Sequence, residues 1–157
     1  MNRITQCLHG KGTISAVIKH RHGKGAVPSK YLAFADQRRP VIFWNLTDRC
    51  NLSCTHCYSS SGPECGTGDE LTTAEAHTFL DDLAVSNVPL VIFTGGEPLV
   101  RPDIWELAEY SREKGIKTAL STNGTLITDE VAKKIKRSGI EYAGISLDGA
   151  SAATHDR

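Results

Sequence analysis

Three cysteines, Cys50, Cys54 and Cys57, form a C-x3-C-x2-C run directly after an apolar segment of the chain. Thiolates are the usual ligands of iron–sulfur clusters. A loop with this spacing can wrap around a cube-shaped cluster, hold three of its irons and leave the fourth iron open. The run therefore predicts a metal centre that keeps one coordination position for another molecule.

Other interpretations of the cysteine run remain open from the residues alone. The three positions also share one face of a helix, where free cysteine is a common core residue, although most residues between them are poor helix formers. A structural zinc ion would need a fourth ligand, for which Cys65 or His56 is available, but no second C-x2-C or H-x3-H pair is present. A fully ligated electron-transfer cluster could recruit Cys65 or Cys7.

The charge of the chain is balanced overall but uneven along its length. Eighteen Lys and Arg residues match eighteen Asp and Glu residues, so no global field favours nucleic acid. Residues 1–40 hold eight basic residues and one acidic residue, Asp36, and we interpret them as a basic N-terminal extension. We find no signal peptide and no apolar run long enough for a membrane helix. We therefore expect a cytoplasmic protein whose five cysteines bind metal or stay free.

From residue 41 onward, β-branched runs alternate with helical patterns. The predicted order is strand 41–46, helix 72–85, strand 90–93, helix 103–114, strand 117–121, helix 129–138 and strand 142–147. Thr72 and Glu75 form a capping-box pattern at the start of the first helix, and Gly115 and Gly139 end the next two helices. This alternation predicts an α/β domain with a parallel sheet, whose polar motifs lie at the carboxyl ends of the strands.

A second polar motif, Gly95-Gly96-Glu97-Pro98, follows the second predicted strand. Its glycines permit close approach of the backbone to a ligand, and Glu97 or a local carbonyl can accept a hydrogen bond from an ammonium group. Two further polar segments, 121–124 (Ser-Thr-Asn-Gly) and 146–149 (Ser-Leu-Asp-Gly), lie at the ends of the third and fourth strands. By themselves, such segments are also ordinary turns.

Together, the cysteine run after the first strand and the Gly-Gly-Glu-Pro turn after the second resemble the radical S-adenosylmethionine (radical SAM) superfamily over residues 41–157. The resemblance implies that Cys50, Cys54 and Cys57 hold a [4Fe-4S] cluster whose open iron binds S-adenosylmethionine. It implies that the cluster passes one electron to the sulfonium, which yields methionine and a 5′-deoxyadenosyl radical that abstracts hydrogen from a substrate. A reductant such as flavodoxin or ferredoxin would supply the electron.

The same resemblance implies roles for the other motifs. The turn after the second strand would bind the methionine part of the cofactor, His56 would approach the adenine, and the later segments would lie near the ribose and carboxylate. The implied cofactor-binding residues are Gly95, Gly96, Glu97, Pro98, His56, Asn123, Ser146 and Asp148. The family fold is a barrel of six βα units, of which these residues would form about four. We therefore expect either a fragment or a second polypeptide that completes the barrel.

Finer features, in segments 44–52 and 56–59 and near the N-terminus, resemble family members that modify tetrapyrrole side chains in haem d1 and alternative haem biosynthesis. A carboxylate-rich tetrapyrrole would suit the basic N-terminal extension. The alternative is a peptide-modifying member, of the cofactor- or sulfatase-maturation type, which shares segment 146–149. A non-catalytic metal module and an inert remnant are two further hypotheses.

Overall fold

The structure is a computed structural model and describes residues 40–66, 68 and 70–155. The predicted basic extension, except for Pro40, and Cys7 therefore lie outside the described residues. No helix in the described part of the chain is both long and apolar enough to cross a membrane.

The described chain alternates strands and helices as the sequence predicts. The elements are β1 (Val41–Asn45), α1 (Thr73–Val85), β2 (Leu90–Thr94), α2 (Ile104–Glu113), β3 (Lys117–Thr122), α3 (Asp129–Arg137), β4 (Ile140–Ile145) and the short α4 (Ala152–His155), with a 3-10 turn at Pro98–Val100. The strands form one parallel sheet in the order β1-β2-β3-β4. The predicted α/β class and parallel βα arrangement are confirmed, and the carboxyl ends of all four strands share one edge.

The bounds of the last strand differ from the prediction. β4 covers Ile140–Ile145 instead of 142–147, because Gly139 turns the chain at a φ of +86° and pairing with β3 begins at once, with Ile140 opposite Thr118. The apolar Leu147 suggested a longer strand, but it is 73% exposed and lies in the loop after β4. Segment 146–149 therefore follows the strand, as a loop at the carboxyl edge.

The helices pack on one face of the sheet and form the main core. On α1, Ala76, Leu80 and Leu83 are buried. The Phe79 ring on the same helix stands edge-on to Trp44 of β1, with centroids 4.8 Å apart. β2 is buried on both faces, as its continuous apolar run predicts. On the other face of the sheet, a smaller cluster forms around Leu90, Ile92 and Ala119.

The start of α1 is set by local hydrogen bonds. The Thr72 hydroxyl accepts a hydrogen bond from the Glu75 backbone N–H at 3.3 Å, and the Glu75 carboxylate accepts one from the Thr72 N–H at 2.8 Å. This reciprocal pair satisfies two backbone donors that the first helical turn leaves without partners. The predicted capping box is confirmed, and it determines where the long loop between β1 and α1 ends.

We expect Thr72→Ala to lower the free energy of unfolding by about 1 kcal/mol, because alanine cannot cap the helix. In a chain of this size that change lowers Tm by about 2–4 °C in thermal unfolding followed by circular dichroism. Thr78→Ala on the exposed side of the same helix is the control, and it should leave Tm unchanged or raise it slightly, since alanine favours helix. Equal losses in the two variants would contradict the capping role.

Candidate functional site

The three cysteines lie on the irregular loop that connects β1 to α1. This loop, called the cysteine loop below, leaves β1 at the carboxyl edge of the sheet. Cys57 N–H donates to the Cys54 carbonyl at 3.2 Å, and Cys50 N–H donates to the Gly62 carbonyl at 3.2 Å. These bonds form turns, and no helix lies between residues 46 and 72 in the described part of the loop. Cys54 is exposed and the other two are half-buried. The interpretation as a buried helical stripe of cysteines is therefore wrong.

Two of the three thiols have hydrogen-bond partners. Cys50 Sγ accepts from the Leu52 backbone N–H at 3.4 Å. Cys57 Sγ lies 3.4 Å from the Ser59 hydroxyl, which lies 2.9 Å from the Ser61 hydroxyl. The hydrogen bond from the Ser59 side chain, followed by one from the Ser61 backbone, lowers the pKa of the Cys57 thiol, because both stabilise its thiolate. The thiolate is the form of cysteine that binds metal.

The Gly-Gly-Glu-Pro turn lies directly against the start of the cysteine loop. Gly96 N–H donates to the Thr47 carbonyl at 2.8 Å, and Glu97 N–H donates to the Arg49 carbonyl at 2.9 Å. Gly95 has a φ of +129°, and a Cβ at Gly96 would collide with the Arg49 carbonyl. Both positions thus need glycine, one for its conformation and one for space. The glycines thus let the turn approach the cysteine loop closely, and their predicted approach to a ligand stays a prediction.

The Glu97 side chain is fully buried and points into the protein. Its carboxylate accepts hydrogen bonds from the Thr122 hydroxyl at 2.8 Å, the Asn123 N–H at 2.8 Å and the Leu99 N–H at 3.0 Å. Glu97 therefore connects the turn after β2 to the end of β3. That Glu97 accepts a hydrogen bond from a ligand's ammonium group stays a prediction. The backbone carbonyls of the turn are the alternative acceptors.

Asn123 connects the end of β3 to the cysteine loop. Its side-chain amide donates to Asn51 Oδ1 at 3.0 Å and lies 3.8 Å from Cys50 Sγ. Its Oδ1 accepts from the Thr125 N–H and hydroxyl, and Thr125 in turn accepts from the Asn51 amide at 2.8 Å. Sequence reasoning selected Asn123 but missed Asn51 and Thr125, since their link exists only across the gap between two loops.

A cavity of about 360 Å³ opens between the cysteine loop and the ends of β3 and β4. Within it, His56 Nε2 lies 3.1 Å from the Asp148 carboxylate, and the Asp148 backbone N–H donates to His155 Nδ1 at 3.0 Å. The cavity brings together five predicted site residues, and sequence reasoning missed His155. The lining is formed by Leu52, Ser53, Cys54, Thr55, His56, Asn123, Thr125, Ser146, Asp148 and His155.

The remaining predicted residues are not part of this lining. The turn formed by residues 95–98 does not face the cavity but contacts it through Asn123, and Cys50 lies beside the same asparagine. Cys65 is half-buried later in the same loop, where its thiol donates to the Ser60 carbonyl at 3.6 Å. In the ranges the structure describes, no three His, Cys, Asp or Glu side chains form a group that could hold a single metal ion.

The donor set fits an iron–sulfur cluster by its chemistry. Cluster irons take cysteine thiolates, and hydrogen bonds to those sulfurs tune the cluster. The cysteine run at residues 50–57 offers three free thiols, two of them with such partners, beside a polar cavity. A zinc ion requires four ligands within about 2.3 Å of one point, whereas a four-iron cluster takes its thiolates at separate corners.

Fold and site together define a parallel α/β protein with a thiol loop at the carboxyl edge of its sheet. Residues 44–157 match the family model of the Radical SAM superfamily, so the chain belongs to that superfamily. Its members use a [4Fe-4S] cluster together with S-adenosylmethionine, so the predicted cofactors are confirmed for the family.

The chain is also similar to individual curated proteins of the superfamily. The chain is 46% identical over 140 residues to an Fe-coproporphyrin III synthase of Methanosarcina barkeri. The aligned residues cover 88% of this chain and 35% of that protein. It is 46% identical to a pre-heme d1 synthase of Dinoroseobacter shibae, over 75% of the chain and 29% of the relative. It is 43% identical to the mycofactocin maturase MftC of Mycobacterium tuberculosis, over 73% of this chain and 29% of that protein. The chain thus spans about a third of the length of these relatives.

Solved structures support the fold. The structure of BtrN in complex with AdoMet and 2-DOIA aligns with a TM-score of 0.61 and 21% identity, over 76% of this chain and 51% of that one. SuiB of Streptococcus suis bound to S-adenosylmethionine aligns with a TM-score of 0.61 and 18% identity, over 90% and 36%. At these identities the likeness concerns the arrangement of strands and helices.

We expect Gly96→Ala to destabilise the protein by about 1–3 kcal/mol, because the added methyl group forces the turn away from the Arg49 carbonyl. Gly66→Ala is the matched control, since a Cβ at Gly66 meets nothing within 4 Å. Chemical denaturation measures both variants. If Gly66→Ala lowers stability as much as Gly96→Ala, the close contact between turn and loop is not the cause.

We expect Ser59→Ala to slow alkylation of Cys57 by iodoacetamide in the metal-free protein. Loss of the hydroxyl raises the pKa of Cys57 toward its ordinary value, so less thiolate is present at a given pH below that value. Mass spectrometry of the Cys57 peptide across a pH series measures the rate. Ser53→Ala, in the same loop, should leave the profile in place, and an unshifted profile in Ser59→Ala would contradict the hydrogen bond.

Proposed function

We propose that this chain binds a [4Fe-4S] cluster through Cys50, Cys54 and Cys57 and binds S-adenosylmethionine in the adjacent cavity, as part of a radical SAM enzyme. The observation that carries the proposal is the cavity itself. It lies at the carboxyl ends of parallel strands, where α/β folds bind their ligands, and Cys54, His56, Asn123 and Asp148 line it. When bound, the cluster would supply one electron that cleaves the sulfonium to methionine and a 5′-deoxyadenosyl radical.

The residues of the chain would orient the cofactor. Glu97 holds the backbone of Asn123 in the cavity lining through its buried carboxylate, and the ammonium group would extend past Asn123 to the carbonyls of the turn at residues 95–98. His56 and Asp148 pair at 3.1 Å in the cavity lining and would offer an imidazole face and a carboxylate to adenine and ribose. Ser146 adds a hydroxyl to the same lining.

We propose a tetrapyrrole of haem or haem d1 biosynthesis as the substrate. The support is the identity of 46% to relatives named for porphyrin and haem products, over three quarters or more of the chain. A carboxylate-rich tetrapyrrole also complements the eight basic residues among residues 1–40. Modification of a peptide is the second candidate, supported by 43% identity to the mycofactocin maturase.

The proposed reductant is a small electron-transfer protein such as flavodoxin or ferredoxin, because the proposed cleavage consumes one electron per cofactor. We further propose that the protein works in the cytoplasm. Its four described cysteines are free thiols, and three of them would hold a cluster, which suits a reducing compartment.

After anaerobic reconstitution with iron and sulfide, we expect about four irons and four sulfides per chain. The reduced protein should give a low-temperature EPR signal that changes when S-adenosylmethionine is added, because the cofactor binds the open iron. Cys54→Ser should lose the cluster, whereas Cys65→Ser, the matched control in the same loop, should keep it.

Three results would contradict the proposal. One zinc per chain without sulfide would favour a zinc module, and an EPR signal indifferent to S-adenosylmethionine would favour a fully ligated cluster. Loss of the cluster in Cys65→Ser would make that residue a fourth ligand.

For the substrate, we expect absorbance titration with iron coproporphyrin III to show saturable binding. Binding of a peptide but not of the porphyrin would favour the second candidate.

A further inference from the structure

Arg101 is a buried cation that the proposed chemistry does not use. It follows the turn after β2, and its side chain is 5% exposed. The guanidinium donates to the Leu46 carbonyl at 2.8 Å and to the Leu71 carbonyl at 2.7 Å. It also pairs with both carboxylate oxygens of Asp103, at 2.7 and 3.0 Å. All these contacts are charge-assisted hydrogen bonds, which are among the stronger ones in proteins.

The two carbonyls bound by Arg101 lie at opposite ends of the cysteine loop. Leu46 is the first residue after β1, and Leu71 immediately precedes the Thr72 cap of α1. Everything between them, including all three cysteines, is irregular chain in the described ranges. One side chain thus bridges the point where the chain enters the loop and the point where it leaves.

A second contact closes the same two ends. The Thr47 hydroxyl donates to Glu70 Oε1 at 2.6 Å, and the Asp48 N–H lies 3.3 Å from the same oxygen. The other Glu70 oxygen lies 4.0 Å from the Arg101 guanidinium. Arg101 therefore also neutralises the carboxylate that joins Thr47 to the end of the loop.

Asp103 holds the guanidinium in this orientation. Burial raises the pKa of the Asp103 carboxyl, but hydrogen bonds from Arg101 and from the Thr73 hydroxyl outweigh burial and lower the pKa overall. The carboxylate thus stays ionised and fixes the plane of the Arg101 fork. A lysine could reach only part of this set, because its ammonium is a point charge without a planar fork.

We propose that Arg101 is a positioning residue that closes the base of the cysteine loop and thereby determines how firmly the loop holds its cluster. The inference rests on the proposed function for its cluster part. Closing a long loop reduces the conformations available to it, so ligands on the closed loop need less ordering when they bind. The role differs from general stabilisation of the fold, since both bridged carbonyls belong to the loop base.

The test compares three variants of the reconstituted chain. Arg101→Lys opens the base, and Asp103→Asn weakens the orientation of Arg101 with a smaller expected effect. Leu83→Ala, at the far end of α1, lowers core stability without contact to the loop base. Each variant is measured for Tm, for release of iron to a chelator under anaerobic conditions, and for chymotryptic cleavage after Tyr58, which is 79% exposed.

We expect Arg101→Lys to release iron roughly tenfold faster or more, which corresponds to the loss of about one charge-assisted hydrogen bond. Cleavage after Tyr58 should accelerate in parallel, in both cluster-loaded and metal-free protein. Asp103→Asn should change both rates in the same direction by less. Leu83→Ala should lower Tm without changing either rate, and this difference separates loop closure from global stability.

Several outcomes would overturn the inference. Iron release and cleavage that follow Tm equally in Arg101→Lys and Leu83→Ala would make Arg101 a general stabiliser. Unchanged rates in Arg101→Lys would remove the role altogether. If Arg101→Lys does not fold, unchanged rates in Asp103→Asn overturn the inference instead. Failure of the unmodified chain to bind a cluster contradicts the proposed function, whereas cleavage in metal-free protein still tests loop closure.

Discussion

The site depends on the contact between the cysteine loop and the turn after β2. Two backbone hydrogen bonds, from Gly96 to Thr47 and from Glu97 to Arg49, join the first residues of the loop to the turn. They form only because the turn has no side chain at residue 96, where any Cβ would meet the Arg49 carbonyl. This contact places the cysteine loop beside the turn that would bind the cofactor.

Buried charges extend that contact in two directions. Toward β3, the Glu97 carboxylate binds Thr122 and Asn123, and Asn123 reaches the cysteine loop through Asn51. Toward the helices, Arg101 binds the carbonyls at both ends of the loop. A buried charge is expensive to leave without partners, so each of these side chains holds its neighbours in a narrow set of positions. The loop is irregular, but its base is closed by hydrogen bonds.

Much of this arrangement could be predicted from sequence because it rests on local patterns. The β-branched runs, the Thr72 capping box and the glycines after the helices indicated a parallel α/β sheet, and the structure agrees on the four strands and the three long helices. It shifts the bounds of β4 and adds a 3-10 turn at Pro98–Val100 and the short α4, which the sequence did not predict. The cysteine spacing and the Gly-Gly-Glu-Pro turn indicated the superfamily, to which the chain belongs. The prediction placed Leu147 in the fourth strand, because an apolar residue just after a strand resembles the end of that strand. In the structure Leu147 is exposed in the following loop.

Local residue patterns specify the four strands, the three long helices, their order and the edge of the sheet at which the polar motifs lie, since parallel strands place successive carboxyl ends together. The partners across that edge depend on the folded arrangement. It turned Glu97 inward, paired His56 with Asp148, added His155 and Asn51 to the site, and placed Arg101 at the base of the cysteine loop. These contacts join residues far apart in the chain, and hydrogen bonds form only over about 3 Å. Such distances follow from strand register and helix packing, which no local pattern of residues specifies.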